Sequence, residues 1–270
     1  MCPLAETESP TPTPTPARVN TVAAFDFDGT LTNGGSVFPF LIDLCGLLPV
    51  LRATASLSPT LIRSALQGGT AADTAKEKLF VRLFRGMPEE KLQRKAEAFA
   101  HKHLAKHLRD DTRRRLQWHQ QQGHYTVIVS ASPESYVVPA GQELGVDGVV
   151  ATRLAVGGGG LLTGGYEGKN CRGAEKYARL TGHLRASGVF DSGTDQVELW
   201  AYGNSRGDLR LLSAADHGVD AGQLGPLGRL RKFPRLRDVM RKVELALGDD
   251  PSQPDERQPG VVAMPTTAPE

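Results

Sequence analysis

Three short apolar runs, each ending at small or polar residues, are the feature that most constrains the fold of this chain. They occupy residues 21–25, 125–129 and 197–202 and are rich in β-branched and aromatic residues. Such runs are typical of parallel strands buried on both faces of a sheet. Helical patterns fill the intervals, so the sequence predicts an α/β fold with a parallel sheet. Because ligands bind beyond the carboxyl ends of such strands, the polar clusters should share one cleft.

The helical patterns divide the chain into a core and an inserted unit. Residues 34–117 carry helical patterns alone, and an interval of that length exceeds an ordinary crossover. We therefore predict a helical cap at 34–117 and a core made of residues 21–33 and 118–248. The Thr-Pro repeat in residues 1–20 and the proline-rich, polar residues 249–270 predict disordered ends.

One apolar stretch of the cap is close in composition to a membrane segment. It covers residues 36–51, but Asp43 and two prolines interrupt it, and a spanning helix needs roughly 20 apolar residues. We therefore expect cap helix here and no membrane anchor. Periodicity and capping signals predict further helices at residues 58–66, 73–84, 88–108 and 110–123.

Composition and charge argue against several classes of protein. The formal net charge of +2, without a long Lys/Arg run, argues against a nucleic-acid partner. Cys2, Cys45 and Cys171 are odd in number and lack metal-type spacing, which argues against a disulfide framework. The first twenty residues lack the features of a secretory signal. We expect a cytoplasmic protein, and no obligate protein partner is evident from the sequence.

Two acids, Asp26 and Asp28, stand where the first predicted strand opens into a loop, in the string AAFDFDGTLT. Strand alternation would aim these side chains differently, whereas a bend at this point would direct both into one pocket. A divalent cation offsets the repulsion between neighbouring carboxylates, and an oxygen-rich site suits Mg²⁺. A calcium-binding EF-hand is the rival interpretation, but that loop requires an acid or amide at Thr30 and glycine at Leu31.

Four stretches, taken in order, carry a resemblance to a known family. They are DFDGTLT, VIVSAS, GAEKYARL and AYGNSRGDLRLL. Together they resemble the motifs of the haloacid dehalogenase superfamily of phosphohydrolases, and the match covers residues 21–215. The resemblance implies a three-layer, Rossmann-like core. A helical cap directly after the first motif resembles the branch that contains phosphoserine phosphatase and bacterial phosphatidylglycerophosphate phosphatases.

The resemblance assigns catalytic roles to three residues. Asp26 would attack the substrate phosphorus to form an aspartyl-phosphate, since its carboxylate is ionised at neutral pH and needs no activating base. Asp28 would act as general acid and then as general base, with its backbone carbonyl reaching the metal. Lys176 would shield the negative charges of the reacting groups from each other.

A phosphate-binding set is implied in the same way. Its members are Thr30, Ser130, Ala131 and Lys176. Lys169 is a competing candidate for the lysine role, because it lies only seven residues before Lys176. Ser132 is interpreted as a capping residue of the following helix.

The implied magnesium ligands depart from the family pattern at one position. They are Asp26, Asp28, Asn204 and Asp208. The family has an acid directly after the glycine of the last motif, where this chain has Asn204. An amide oxygen binds Mg²⁺ without formal charge, so the metal affinity should fall unless Asp208 compensates. A phosphate-binding module with weakened catalysis therefore stays open as an alternative.

These patterns together predict a Mg²⁺-dependent phosphomonoester hydrolase. Gly35 stands where relatives that cleave phosphoserine have an acid, which disfavours that substrate. The next residues, Ser36, Val37, Phe38 and Phe40, predict an apolar pocket lip. The expected substrate is a small-metabolite or lipid-linked phosphate, and the alternative enzyme is a phosphotransferase that uses the same intermediate.

Residues 229–248 predict a basic amphipathic helix near the end of the chain, with Pro234 in its first turn. A helix of this kind can lie on an anionic membrane as a peripheral contact. The alternative is that its apolar side packs on its own domain.

Overall fold

The computed structural model describes five parts of the chain. These are residues 19–57, 70–189, 196–222, 230 and 232–247. The predicted helix at 58–66 and the predicted tail at 249–270 lie outside the described residues. The first strand begins at Val19, so residues 19 and 20 of the segment predicted to be disordered are part of the sheet.

A parallel sheet forms the centre of the molecule. Its strands are β1 (Val19–Phe25), β2 (Tyr125–Pro133), β3 (Gly148–Thr152), β6 (Gln196–Gly203) and β7 (His217–Asp220). They lie in the order β3-β2-β1-β6-β7, and every pairing is parallel. Two further strands, β4 (Leu154–Val156) and β5 (Leu162–Tyr166), form an antiparallel hairpin outside this sheet. The three predicted strands are β1, β2 and β6, so the apolar runs locate the central three strands.

Helices surround the sheet and fill the interval between β1 and β2. Within the described residues they are α1 (Val37–Cys45), α2 (Leu47–Ser56), α3 (Thr70–Phe84), α4 (Glu89–His107), α5 (Asp110–Gln121), α6 (Glu134–Leu144), α7 (Ala174–Ala186), α8 (Leu209–Ala214) and α9 (Leu236–Leu247). α4 begins with Glu89 and Glu90 and ends with Lys106 and His107. This distribution stabilises the helix, because acids at its start and bases at its end interact favourably with the helix dipole.

The two faces of β1 pack against different helices. Val22 and Ala24 contribute to an apolar cluster with residues of α7 and α8. Ala23 and Phe25 contribute to a second cluster, with residues of α5, α6, α9 and the cap. Because successive strand residues point to opposite faces, this alternation creates helical layers on both sides of the sheet. The predicted three-layer α/β fold is confirmed.

The inserted helices α1 to α4 pack around aromatic side chains that are continuous with the main core, since the ring of Phe40 also lies 4.7 Å from Tyr136 of α6. The ring of Phe40 lies 5.1 Å from Phe99, and the ring of Phe80 lies 5.0 Å from Phe84. α3 also packs against the β4–β5 hairpin, which no sequence pattern predicted. The predicted cap boundary after residue 117 falls inside α5, whose His119 bonds to Tyr202 of the central sheet.

The last described helix, α9, begins at Leu236, so Pro234 precedes the helix and does not lie in its first turn as predicted. The Pro234 carbonyl accepts a hydrogen bond from the Asp220 amide at 2.9 Å, and Arg235 forms a β-bridge with Asp220. This extended pairing with β7 delays the helix to Leu236. Leu236 is buried and Met240 packs on the core, as in the alternative that the helix packs on its own domain. Peripheral membrane contact stays a prediction, and none of the described helices is long and apolar enough to cross a membrane.

Candidate active site

The predicted site residues lie at one edge of the sheet. Phe25, the last residue of β1, is in register with Ile128 of β2 and with Tyr202 of β6, so the residues that follow these positions lie side by side. Asp26 follows β1 directly, and its amide donates to the Tyr202 carbonyl at 2.9 Å. This alignment brings together residues that are more than 100 positions apart in the chain.

Lys176 joins two of the predicted acids. Its Nζ lies 2.5 Å from Oδ1 of Asp26 and 2.6 Å from Oδ1 of Asp208. All three side chains are at most 8% exposed. The competing lysine, Lys169, is exposed. The structure therefore places Lys176 and not Lys169 between the carboxylates.

The pKa values in this cluster reflect burial and the neighbouring charges. Burial raises the pKa of Asp26 to about 7, with a further contribution from the Asp208 charge, although Lys176 opposes both. Burial opposes the charged form of Lys176, but the carboxylates of Asp26 and Asp208 outweigh it and raise its pKa. Burial also disfavours the ionised form of Asp208, yet Lys176 and hydrogen bonds from Ser205 lower its pKa. The site thus contains more acid than the one lysine neutralises, a condition that favours a bound cation.

Both carboxylate oxygens of Asp208 have partners. Oδ1 bonds to Lys176, and Oδ2 accepts from the amides of Asn204 and Ser205 and from the Ser205 hydroxyl, at 2.8 to 3.2 Å. These bonds close a capping box over the short 3₁₀ turn Arg206–Asp208. The contacts position the Lys176 ammonium and fix the loop that carries Asn204.

Asp28 is held from two sides. Its Oδ1 accepts from the Ser36 amide at 2.8 Å, and its Oδ2 accepts from the Ser132 hydroxyl at 2.5 Å. Ser36 is fully buried, and its hydroxyl lies 2.8 Å from the Tyr136 hydroxyl. The prediction of Ser36 as part of a pocket lip was wrong, because its amide and hydroxyl both point into the protein.

Ser132 is a functional candidate that sequence reasoning missed. We interpreted it as a helix cap, but Pro133 occupies the N-cap position of α6 and no side chain caps that end. The signal lay in the spacing of Ser130 and Ser132, since residues two apart on a strand point to the same face. The Ser132 amide also donates to the Ser130 hydroxyl at 3.0 Å.

The remaining predicted phosphate-binding residues lie around the same cluster. Thr30 Oγ1 donates to Oδ2 of Asp26 at 3.3 Å. Ser130, in the second half of β2, is 1% exposed. The Ala131 carbonyl accepts from Thr152 Oγ1 at 2.8 Å. The Ala131 carbonyl is therefore engaged within the protein.

Asn204 offers an oxygen that suits a hard cation. Its Oδ1 is buried without a hydrogen-bond partner among the described residues, although such atoms are normally paired. Asn204 lines a cleft of about 330 Å³ together with Asp28 and Gly29. A side chain at Gly29, which has φ +78°, would collide with the Asn204 amide. The unpaired amide oxygen and the nearby carboxylates fit Mg²⁺, which takes one or two carboxylates together with water and phosphate. Within the described ranges, no three His, Cys, Asp or Glu side chains form a metal-binding group by themselves.

The fold and these side chains define an α/β enzyme site with a buried lysine, paired acids and oxygen ligands. The sequence model of the haloacid dehalogenase-like hydrolases matches residues 23–213. Protein CicA of Caulobacter vibrioides is 34% identical over 210 residues, which cover 72% of this chain and 83% of CicA. The chain belongs to the haloacid dehalogenase-like hydrolases, as the sequence motifs predicted.

Two further similarities come from phosphatases. The histidinol-phosphatase of Neisseria meningitidis is 26% identical over 196 residues, covering 72% of this chain and 86% of that protein. A solved structure, a phospho-aspartyl intermediate analogue of phosphoserine phosphatase, has a TM-score of 0.54 at 19% identity. It covers 83% of this chain and 99% of the solved chain, and this likeness concerns the fold. The prediction of a hydrolase with a phosphatase-type fold is confirmed.

Proposed function

We propose that the protein hydrolyses phosphate monoesters through an aspartyl-phosphate on Asp26. The observation that carries this proposal is the 2.5 Å contact between Asp26 Oδ1 and Lys176 Nζ in a buried site. An ammonium ion beside the attacking carboxylate reduces its repulsion from the negatively charged substrate. The second oxygen of Asp26 receives only the longer 3.3 Å bond from Thr30, and we assign the attack to it.

The first half-reaction forms the covalent intermediate. Oδ2 of Asp26 bonds to phosphorus while the bond between phosphorus and the leaving oxygen breaks. Asp28 gives its proton to that leaving oxygen. The bonds from the Ser36 amide and the Ser132 hydroxyl hold the Asp28 carboxyl in one orientation during this transfer. Ser130 and Lys176 contact the phosphoryl oxygens.

The second half-reaction releases inorganic phosphate. Asp28 takes a proton from a water molecule, the water oxygen bonds to phosphorus, and the bond from phosphorus to Asp26 breaks. Asp208 holds Lys176 throughout, so the ammonium stays beside Asp26 as its charge changes. In this proposal Asp208 acts through Lys176.

The proposed cofactor is Mg²⁺, held by Asp26, the Asp28 backbone carbonyl and Asn204, with Asp208 fixing the Asn204 loop. When bound, Mg²⁺ would neutralise charge on the phosphoryl oxygens. The unpaired Oδ1 of Asn204 and the excess of carboxylates in the site support this assignment. The amide contributes no formal charge, so we expect weaker metal binding than an acid would give.

The proposed substrate is a small-metabolite or lipid-linked phosphate. Gly35 lines the cleft beside Asp28 and presents no acid for an amino group. Phe38, three residues further on, is 49% exposed, which supports a leaving group with an apolar part. Phe40 is fully buried in the cap core and contributes nothing to such a surface.

Phosphate release from a panel of esters with Mg²⁺ tests this function. The Asp26→Asn variant should lose release, whereas Asp43→Asn, which changes an exposed cap acid, should keep it. A ³²P-labelled ester should leave label on the wild-type protein and none on Asp26→Asn. Absence of phosphate release from every ester would rule out the proposal. Release that falls as an alcohol acceptor is added, with label appearing on the alcohol, would indicate the phosphotransferase instead.

A further inference from the structure

The side chain of Lys76, on the cap helix α3, extends into the core. Lys76 Nζ donates to the Ala131 carbonyl at 2.6 Å and to the Asn170 side-chain oxygen at 3.1 Å. The aromatic rings of Phe80 and Tyr166 lie 5.6 and 5.7 Å from the same nitrogen, within the range of cation–π attraction. Lys76 is therefore held in one place by the cap and by the core at the same time.

Asn170 forms a second hydrogen-bonded contact between helix α3 and the core. Its side-chain nitrogen donates to Asp73, one turn before Lys76 on α3, at 2.7 Å. Its side-chain oxygen also accepts from Thr152, whose hydroxyl lies 2.8 Å from the Ala131 carbonyl. Lys76 thus belongs to a connected polar network, and such a network fixes the geometry of its members.

The network ends on the last residues of β2, at 130–132, beside the candidate catalytic groups. Ala131 lies between Ser130, a proposed phosphate ligand, and Ser132, which donates to Asp28 at 2.5 Å. A shift of the Ala131 peptide would therefore move both neighbouring hydroxyl groups. Burial lowers the pKa of Lys76 to about 8, and the charges of Asp73 and Asp28 oppose that change. The ammonium consequently lies within electrostatic range of Asp28.

We propose that Lys76 is a positioning residue for the reaction, which sets the backbone of β2 at residues 130–132 through the Ala131 carbonyl. The cap thereby contributes to the orientation of the Asp28 acid/base group without touching the reacting atoms. The kinetic part of this inference rests on the proposed phosphatase function, while its structural part does not. Loss of Lys76 should lower kcat more than it raises KM, because Ser132 in this part of β2 also orients Asp28.

Variants of two lysines on the same helix test the inference. K76M removes the donor, K76R keeps a charged donor, and K78M removes an exposed lysine two residues away as the matched control. We expect K76M to lower kcat for p-nitrophenyl phosphate with Mg²⁺ by about tenfold, the effect of a lost hydrogen bond from a charged group. KM should change less, K76R should recover part of the loss, and K78M should match the wild type.

Amide hydrogen exchange supplies a readout that is independent of turnover. We expect the Ser132 amide, which bonds to Ser130, to exchange faster in K76M than in the wild type and K78M. If the wild-type protein hydrolysed no ester, the proposed function would be refuted. The exchange data would still test whether Lys76 positions residues 130–132. Unchanged exchange at residues 131 and 132 in K76M would overturn the inference. So would a K76R enzyme that shows no recovery of kcat over K76M.

Discussion

The Ser132 hydroxyl donates to Oδ2 of Asp28 over 2.5 Å and links the end of β2 to the loop after β1. This contact lies at the short end of the range for O–H···O hydrogen bonds. It fixes the orientation of the group that we propose as general acid and base. The fold places the two residues together although 104 positions separate them in the chain.

Ser132→Ala should lower kcat by about tenfold, because the hydrogen bond that orients Asp28 is lost. KM should change less, since Ser130 and Lys176 still bind the phosphoryl group. Steady-state kinetics with a phosphate ester measure both values. Ser135→Ala is the matched control, because the buried Ser135 hydroxyl has no hydrogen-bond partner among the described residues. Equal kcat values for the two variants would contradict the assigned role.

Asn204→Asp should strengthen Mg²⁺ binding by about tenfold, because it adds a formal charge to the ligand set. In Mg²⁺-free buffer the same change should lower the melting temperature, since the new carboxylate lies near Asp28. Magnesium titrations of activity and of melting temperature give two separate measurements. Asn33→Asp, an exposed position that lines the same cleft, is the control and should shift neither by as much. An unchanged magnesium requirement in Asn204→Asp would refute Asn204 as a ligand.

Lys176→Met should lower the free energy of unfolding by about 3 kcal/mol, because it leaves buried carboxylates without their cation. Chemical denaturation without Mg²⁺ measures this change. Adding Asp208→Asn to Lys176→Met should cost less than the sum of the two single changes, since the two residues share one contact. Additive effects would show that the 2.6 Å contact contributes no coupling energy.

The buried His119 should make the fold sensitive to acid. Its ring lies between Tyr202 and His124, at 2.8 Å from each, and burial, followed by the Arg115 charge, lowers its pKa from 6.5 to about 2. Folding therefore favours neutral His119, and this stabilisation is complete above pH 6.5. It decreases as the pH falls from 6.5 towards 2, because the unfolded state then binds a proton that the folded state does not.

Chemical denaturation of the wild type and of His119→Gln at pH 7 and pH 5 tests this pH-dependent contribution of His119 to stability. The difference in unfolding free energy between the wild type and His119→Gln should fall by about 2 kcal/mol from pH 7 to pH 5. His101→Gln is the control, because His101 lies exposed on α4. If the difference is the same at both pH values, acid sensitivity arises elsewhere.

Local patterns were sufficient for the central strands and for the motif residues. The runs at β1, β2 and β6 are mostly apolar and rich in β-branched and aromatic residues because both faces of a central strand are buried, so composition marks them. The acids after β1 and the lysine of α7 belong to short strings whose spacing is set by one turn or one helix start. These strings predicted Asp26, Asp28 and Lys176 as site residues without information about their neighbours in the folded protein. The β4–β5 hairpin left no such signal, since its strands are short and glycines occupy both the connection and β5.

The α/β class, the family and the identity of the residues at the sheet edge could be predicted from the sequence motifs. The pairing of these residues became known from the packed fold: Ser132 with Asp28, Lys76 with Ala131, and Asp208 with Lys176 rather than with solvent. The start of α9 at Leu236 was decided in the same way, by the pairing of Pro234 with Asp220. The physical reason is that local spacing fixes backbone conformation and the face a side chain occupies. Hydrogen bonds between distant segments depend on how the layers pack, which no short string encodes.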